Sequence, residues 1–408
     1  MLTFILNPDH EIPLYQQLYS FIRKEIETGR LQPGEKLTSK RKLAAHLKIS
    51  QNTVATAYEQ LSAEGYIISK PKSGYYVAVL EDLLPDMPEN PPEAAARSGE
   101  KPKRKQWLYD FKTNTVDANF FPFPTWAKIS REILHNRNRN LLRAVDPRGY
   151  YPLRKAIADY VHQYRGVNCT PEQIIIGAGT ELLYTLIIQL LGREKRYAVE
   201  DPGYGKIARI YQAHQVPLCR VGLDGGGLDV AQLRRQPADV VHISPSHHYP
   251  TGIVMPIARR QELLRWAAEE PERYILEDDY DSEFRFVGRP IPTLFSVSEN
   301  QRVIYLNTFS KTIAPSIRIS YMILPPRLLA RYREKLGFYA CTVSSFEQYT
   351  LARFLEQGRY EQHLNRMKTR YRQKRDAVID AIRRSPLSDR AEILEQDAGL
   401  HFLMVLPT

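Results

Sequence analysis

The chain has 408 residues, 43% hydrophobic and 10% aromatic, with a formal net charge of +11, so it is too long for one ordinary core and predicts two or more domains. Three scattered cysteines (Cys169, Cys219 and Cys341) exclude a disulfide framework and a cysteine metal centre, and runs such as Leu182–Leu191 are too short to span a bilayer. Pro8 and Asp9 interrupt any signal-peptide pattern, so a reduced, cytoplasmic protein with no membrane partner is expected.

In chain order, Leu14, Leu18, Phe21, Ile22 and Ile26 recur at helical spacing, and Gly29 supplies a stop. After a Pro33-Gly34 turn, Ser39 caps a short helix carrying Leu43, Ala44 and Leu47. A second helix follows Lys48-Ile49-Ser50, with Val54, Ala57, Tyr58 and Leu61 on one face and Gly65 at its end. Two short helices this close predict a helix-turn-helix. Tyr66-Ile67-Ile68 and Tyr75-Tyr76-Val77, joined by Pro71-Lys72-Ser73-Gly74, predict a two-stranded wing.

This first domain is expected to span residues 1–80 and to bind duplex DNA. Gln51, Asn52, Thr53 and Thr56 lie at the start or on the polar side of the second helix, where base edges are read. Ser39, Lys40 and Arg41 open the preceding helix, a place for phosphate, and Lys72 and Ser73 stand at the wing tip. From Arg30 to Tyr75 there are eight Lys and Arg against three Glu, a balance that favours an anionic partner. The competing reading is a three-helix interaction domain with a solvated charged face.

Residues 81–106 carry five prolines, an Ala94-Ala95-Ala96 run and a basic cluster, Lys101, Lys103, Arg104 and Lys105. Few of these side chains suit a core, so a semi-extended linker is predicted. Residues 107–408 then alternate short apolar strands with amphipathic helices, an α/β pattern.

Four segments of that second domain carry matching chemistry. Ile174-Ile175-Ile176 runs into Gly177-Ala178-Gly179-Thr180-Glu181 and a helix, whose first amides suit an anion. Tyr204 follows Asp201-Pro202-Gly203 at a strand end, a place for a ring that stacks on a heterocycle. Tyr274-Ile275-Leu276 ends in Glu277-Asp278-Asp279-Tyr280-Asp281, which offers a carboxylate to a pyridine nitrogen and a phenol to its 3'-oxygen. An acidic strand end could hold a metal instead, but no second oxygen-rich segment supports one and none is expected. Finally Thr308, Ser310 and Lys311 follow the strand Val303-Ile304-Tyr305-Leu306, with Arg318 seven positions beyond the lysine. An amine for a Schiff base, two hydroxyls and a guanidinium are what pyridoxal 5'-phosphate requires.

The N-terminal pattern resembles the winged helix of GntR-type bacterial regulators over about residues 10–78, with Thr38 where those proteins usually have proline. The whole chain resembles a MocR-type transcriptional regulator. In that group a winged helix is fused to a fold-type I aminotransferase-like domain. The resemblance rests on Glu277-Asp278-Asp279-Tyr280-Asp281-Ser282-Glu283-Phe284, Ser244-Pro245-Ser246-His247-His248-Tyr249-Pro250-Thr251-Gly252 and Thr308-Phe309-Ser310-Lys311, and is nearest to the GABA-responsive members.

The resemblance implies Lys311 as the Schiff-base lysine, Asp278 on the pyridine nitrogen, Tyr280 on the 3'-oxygen and Tyr204 on the ring. It implies that Gly179, Thr180, Glu181, Thr308, Ser310 and Arg318 hold the phosphate and that Lys206 meets the effector. Glu181 stands where glutamine is common, so its amide is expected to serve while its carboxylate points away from the phosphate. Tyr249 stands where aminotransferases carry asparagine, which argues against efficient transamination. Family members continue past a Gly399-Leu400-His401-Phe402 strand to an effector-binding arginine, so a shortened C-terminal subdomain is expected. The implied function is a DNA-binding regulator, a head-to-tail homodimer, that senses an amino compound, GABA first among candidates, through an external aldimine. The alternatives are an active aminotransferase and a regulator that senses pyridoxal phosphate and controls its synthesis. A repressor or inactive relic without effector control is a further possibility.

Overall fold

In the computed structural model, apolar residues at helical spacing build the first unit. The residues described are 12–71, 73–79, 116–135, 139–288, 291–299, 301–397 and 399–407, so the expected linker and Lys72 lie outside them. The chain divides into two units, Met1–Tyr109 and Asp110–Thr408.

Helices α1 (Leu14–Glu27), α2 (Lys40–Leu47) and α3 (Gln51–Ala63) precede β1 (Ile67–Lys70) and β2 (Gly74–Val77), which pair antiparallel from Ile67↔Val77 to Lys70↔Gly74. Ser39 and Ser50 cap α2 and α3 by accepting from the amides of Lys42 and Thr53. Lys48 ends α2 in the left-handed region at φ 55°, so the chain turns at once into α3. Leu18, Ile22, Leu43, Val54, Tyr58 and Leu61 fill the core between the helices, and Ile67 and Val77 attach the wing to it. The Tyr58 hydroxyl donates to the Thr38 carbonyl at 2.8 Å, tying α3 to the segment before α2.

The second unit is a three-layer α/β structure. Its strands are β3 (Ile174–Gly177), β4 (Tyr197–Asp201), β5 (Leu218–Asp224), β6 (Gly227–Leu228), β7 (Val240–Ile243), β8 (Tyr274–Asp278), β9 (Val303–Thr308) and β10 (Ser320–Ile323). They form one eight-stranded sheet in the order β3-β10-β9-β8-β7-β4-β5-β6. β4, β5, β7, β8 and β9 pair parallel with one another, whereas β6 pairs antiparallel with β5 and β10 lies antiparallel between β3 and β9. A separate hairpin, β11 (Glu392–Leu394) with β12 (Leu403–Val405), follows the long helix Arg359–Arg383.

Continuous apolar strands follow from helices covering both faces. Ile174, Ile176, Tyr305, Tyr321 and Ile323 point to one face, under helices Tyr151–Arg165 and Ser345–Glu356. The intervening Ile175, Ile304, Leu306 and Met322 point to the other, under helices Thr180–Leu191 and Pro326–Leu336. This period-two division gives each face its own buried cluster. Each fully buried Leu, Ile or Phe contributes about 1.5–3 kcal/mol before its entropic cost. The sheet thereby becomes a stiff platform whose parallel strands all end on one edge, where α/β proteins place their ligands.

Candidate functional site

A cavity of about 830 Å³ opens at that edge, lined among others by Thr180, Glu181, Tyr204, Lys206, Asp278, Tyr280, Thr308, Ser310, Lys311 and Arg318. Four separated stretches of sequence thus meet in one pocket. Gly179, the remaining residue of the expected set, lies behind Arg318: its φ is +95°, and a Cβ there would collide with the guanidinium.

Asp278 ends β8 and is 6% exposed. Its Oδ2 accepts from the Tyr184 hydroxyl at 2.5 Å and lies 3.5 Å from His242 Nε2, while His242 Nδ1 lies 2.9 Å from the Tyr211 hydroxyl. Its Oδ1 is buried without a hydrogen-bond partner. An orphaned carboxylate oxygen costs at least about 1–3 kcal/mol, so the site calls for a donor. A protonated pyridine nitrogen is such a donor.

Lys311 sits three residues after β9 and two after the buried Phe309. Burial holds its amine below the usual lysine range, with Asp281 and Asp278 partly restoring it, so the neutral, nucleophilic form is more accessible. Tyr280 is pushed well above the usual phenol range, first by burial and then by Asp281, and keeps its proton as a donor. The Thr308 hydroxyl accepts from the Ser310 amide at 3.1 Å and from the Ser320 hydroxyl at 2.8 Å, which fixes the turn leading to Lys311. Arg318 adopts φ 53°, a left-handed conformation uncommon for a non-glycine residue, and places its guanidinium over Gly179.

Glu181 departs from expectation. Its carboxylate does not point away from the anion corner but accepts from Lys206 Nζ and, at 2.5 Å, from Arg318 Nη2. Burial would raise this carboxyl, yet those two hydrogen bonds bring it down to about 2. Lys206, expected to meet the effector, is therefore held by Glu181. The donor set as a whole fits pyridoxal 5'-phosphate: an acceptor for the ring nitrogen, an amine for the aldehyde, and hydroxyls, helix-start amides and a guanidinium for the phosphate.

Sequence reasoning missed Tyr184, His242 and Tyr211. Tyr184 and His242 reach Asp278 because helix Thr180–Leu191 packs across the sheet and β7 lies beside β8, and Tyr211, on helix Gly205–Ala213, reaches His242. It also missed the partners of Asp281. Sequence offered no second metal-binding segment, but the fold brings His247 and His401 to this carboxylate. Asp281 Oδ2 lies 2.9 Å from His247 Nδ1 and accepts from the Leu400 amide at 3.1 Å, so the carboxylate pins the 399–402 segment to the cavity wall.

In the first unit Ser39, Arg41, Gln51, Asn52, Thr56 and Ser73 are exposed, and Lys40 and Thr53 are half-buried. The Thr56 hydroxyl donates back to the Asn52 carbonyl at 3.0 Å, and Ser50 and Thr53 share a 2.9 Å hydroxyl contact, so the start of α3 is held rigidly. The wing adds a feature that charge counting did not reveal. Lys36 and Lys70 lie 5.7 and 4.6 Å from the Tyr76 ring, and Lys40 lies 5.3 Å from that of Tyr75. These cations are gathered on aromatic supports.

Comparisons with known proteins agree with both units. A family model described as "Aminotransferase class I and II" matches residues 110–408, and one described as "Bacterial regulatory proteins, gntR family" matches residues 14–77. The HTH-type transcriptional regulator YdeL of Bacillus subtilis is 42% identical over 99% of this chain and 86% of its own length. The probable rhizopine catabolism regulatory protein MocR of Rhizobium meliloti is 32% identical over 98% and 83%. The pyridoxine biosynthesis regulator PdxR of Corynebacterium glutamicum is 32% identical over 99% and 86%. Among solved structures, the kynurenine aminotransferase of Pyrococcus horikoshii superposes with a TM-score of 0.64 at 25% identity, over 72% of this chain and 75% of that one. With its GntR-type DNA-binding unit and aminotransferase-like unit, the chain belongs to the MocR-type HTH transcriptional regulators, with pyridoxal 5'-phosphate as cofactor.

Proposed function

We propose that this regulator senses an amino compound at Lys311 and converts its arrival into a change in DNA affinity. The observation that carries the reading is the meeting, in one cavity, of Lys311, the orphaned oxygen of Asp278 and Arg318, in a chain that also bears a basic winged helix. When bound, the cofactor supplies an electrophilic aldehyde on an electron-withdrawing ring. Lys311 would provide the amine that meets this aldehyde. Asp278, which accepts from Tyr184, would hold a proton on the ring nitrogen, and Tyr280 would donate to the ring oxygen. Tyr204 would pack on the ring, and Gly179, Thr180, Thr308, Ser310 and Arg318 would hold the phosphate.

GABA is the effector we test first, because its amine suits Lys311. Such a ligand shifts DNA affinity only if it binds two conformations unequally. We further propose a cytoplasmic, head-to-tail homodimer. In support, Phe123, Leu142 and Phe338 are 65%, 81% and 76% exposed, apolar side chains that a partner subunit would cover. Among the described residues no helix is long and apolar enough to cross a membrane. In DNA binding, Ser39, Lys40, Arg41, Lys72 and Ser73 take backbone contacts, and Gln51, Asn52, Thr53 and Thr56 take base contacts.

The relation to a pyridoxine biosynthesis regulator favours a second reading, in which the cofactor is itself the signal. Fluorescence anisotropy with duplex from the chain's own upstream region separates the readings. The first predicts salt-sensitive binding that GABA alters only in cofactor-loaded protein, with no response in Lys311→Ala. The second predicts a response to pyridoxal phosphate with no amine added. Steady turnover with 2-oxoglutarate and no salt-sensitive DNA binding would contradict both and make the chain an aminotransferase. Within the DNA face, Arg41→Ala should weaken all sequences alike and reduce the salt slope, whereas Asn52→Ala should alter sequence preference.

A further inference from the structure

Three charged side chains meet at the outer corner of the cavity. Glu181 Oε1 accepts from Lys206 Nζ, and Oε2 accepts from Arg318 Nη2 at 2.5 Å. The same Nη2 donates to the Ala178 carbonyl at 3.1 Å. Nη2 has two hydrogens, one on the edge it shares with Nη1 and one on the edge it shares with Nε. A two-pronged grip on an anion uses one whole edge of the fork. Ala178 and Glu181 together therefore occupy one hydrogen on each edge. The guanidinium packs so closely over Gly179 that a Cβ there would collide with it, and the left-handed backbone at Arg318 sets its direction of approach.

An anion that reaches Arg318 consequently finds an anion already there. Ala178 is main chain one residue past the end of β3 and cannot swing away as a side chain can, whereas the Glu181 side chain is 32% exposed and retains Lys206 as a second partner. Glu181 is the member that can move. Its carboxyl, brought down to about 2 by its two cationic partners against the effect of burial, stays charged at neutral pH and repels a phosphate in the same corner.

We propose that Glu181 is an internal competitor for the cofactor's phosphate: it occupies Arg318 and Lys206 in the empty site and gives up Arg318 when a phosphate arrives. This rests on the reading of the cavity as a pyridoxal phosphate site and adds its regulation. The grip on the phosphate is thereby weaker than an uncontested guanidinium would give. Glu181 acts through Arg318 and is a positioning residue, not a catalytic one.

Calorimetric titration of the cofactor-stripped, full-length protein tests the inference. Wild type and Glu181→Gln are each titrated with pyridoxal phosphate, with pyridoxal and with inorganic phosphate. Relieving the one part-exposed ion pair that phosphate must displace should tighten pyridoxal phosphate and inorganic phosphate by roughly fivefold each. Pyridoxal, which has no phosphate, should be unchanged, and Glu181→Ala should shift in the same direction as Glu181→Gln. Unchanged or weaker phosphate binding in Glu181→Gln would make the residue a brace for Arg318 and overturn the proposal, as would an equal gain for pyridoxal. Inorganic phosphate forms no bond to Lys311, so its titration decides the matter even if Lys311 proves not to hold the cofactor.

Discussion

At one end of the cavity Asp278 is 6% exposed, with Tyr184 and His242 gathered on one oxygen. At the other, the side chains of Glu181, Lys206 and Arg318 are 32%, 50% and 50% exposed and share hydrogen bonds among themselves. The contrast separates two uses of charge. A buried carboxylate is costly to desolvate and is retained because its partners fix it in place. Part-exposed ion pairs contribute little individually and exchange readily. The ring end of the site is therefore preset by the fold, and the phosphate end is adjustable.

Substitutions at the two ends should differ accordingly. The largest effect is expected from Asp278→Asn, which removes the charge facing the ring nitrogen. Losing a charge-assisted bond of about 1.5–3 kcal/mol should weaken cofactor affinity about 10- to 100-fold, measured by titration of stripped protein. Next, Tyr184→Phe leaves Asp278 without its shortest hydrogen bond and should lower folding stability by about 1–3 kcal/mol in denaturant melts. Lys206→Ala, at the exposed end, should change it by less than about 0.5 kcal/mol. Equal losses from Tyr184→Phe and Lys206→Ala would erase the distinction.

A separate, pH-dependent effect belongs to the buried Glu200, whose carboxyl is also perturbed by Asp278. Burial raises its carboxyl to about 8, with Asp278 adding to the shift and the Ser244 amide opposing it. His248, 3.4 Å away, is lowered to about 4, mainly by burial, so the two groups meet as neutral partners near pH 7. In the unfolded chain this carboxyl ionises from about 4.5, so folding loses stability as pH rises from there to about 8. Glu200→Gln removes that loss. Its melting temperature should exceed that of wild type at pH 8 and converge with it at pH 4.5. A constant difference across that window would show that Glu200 does not titrate as its burial implies.

Much of this site was legible because its residues lie at strand ends, where sequence is locally informative. β8 runs through Tyr274-Ile275-Leu276 into Asp278, and β9 through Val303-Ile304-Tyr305-Leu306 into Thr308. Strand followed by functional residue can be read without knowing the neighbours. The winged helix was legible for a similar reason, since its caps Ser39 and Ser50 and its apolar spacing are local signals. What escaped depends on sheet order. His242 reaches Asp278 only because β7 is hydrogen-bonded to β8, and no spacing in the sequence encodes that adjacency. The antiparallel insertion of β10 between β3 and β9 is equally non-local, and it follows the turn that carries Arg318 to Glu181, 137 residues away in sequence. The expectation for Glu181 failed for that reason: it considered the helix start alone, not the guanidinium delivered to it.

Borohydride reduction of cofactor-loaded protein followed by peptide mass mapping tests the central claim most directly. A reduced cofactor mass fixed on the peptide containing Lys311, and lost in Lys311→Ala, is the predicted result. The same mass on another lysine, or on none, would contradict the account.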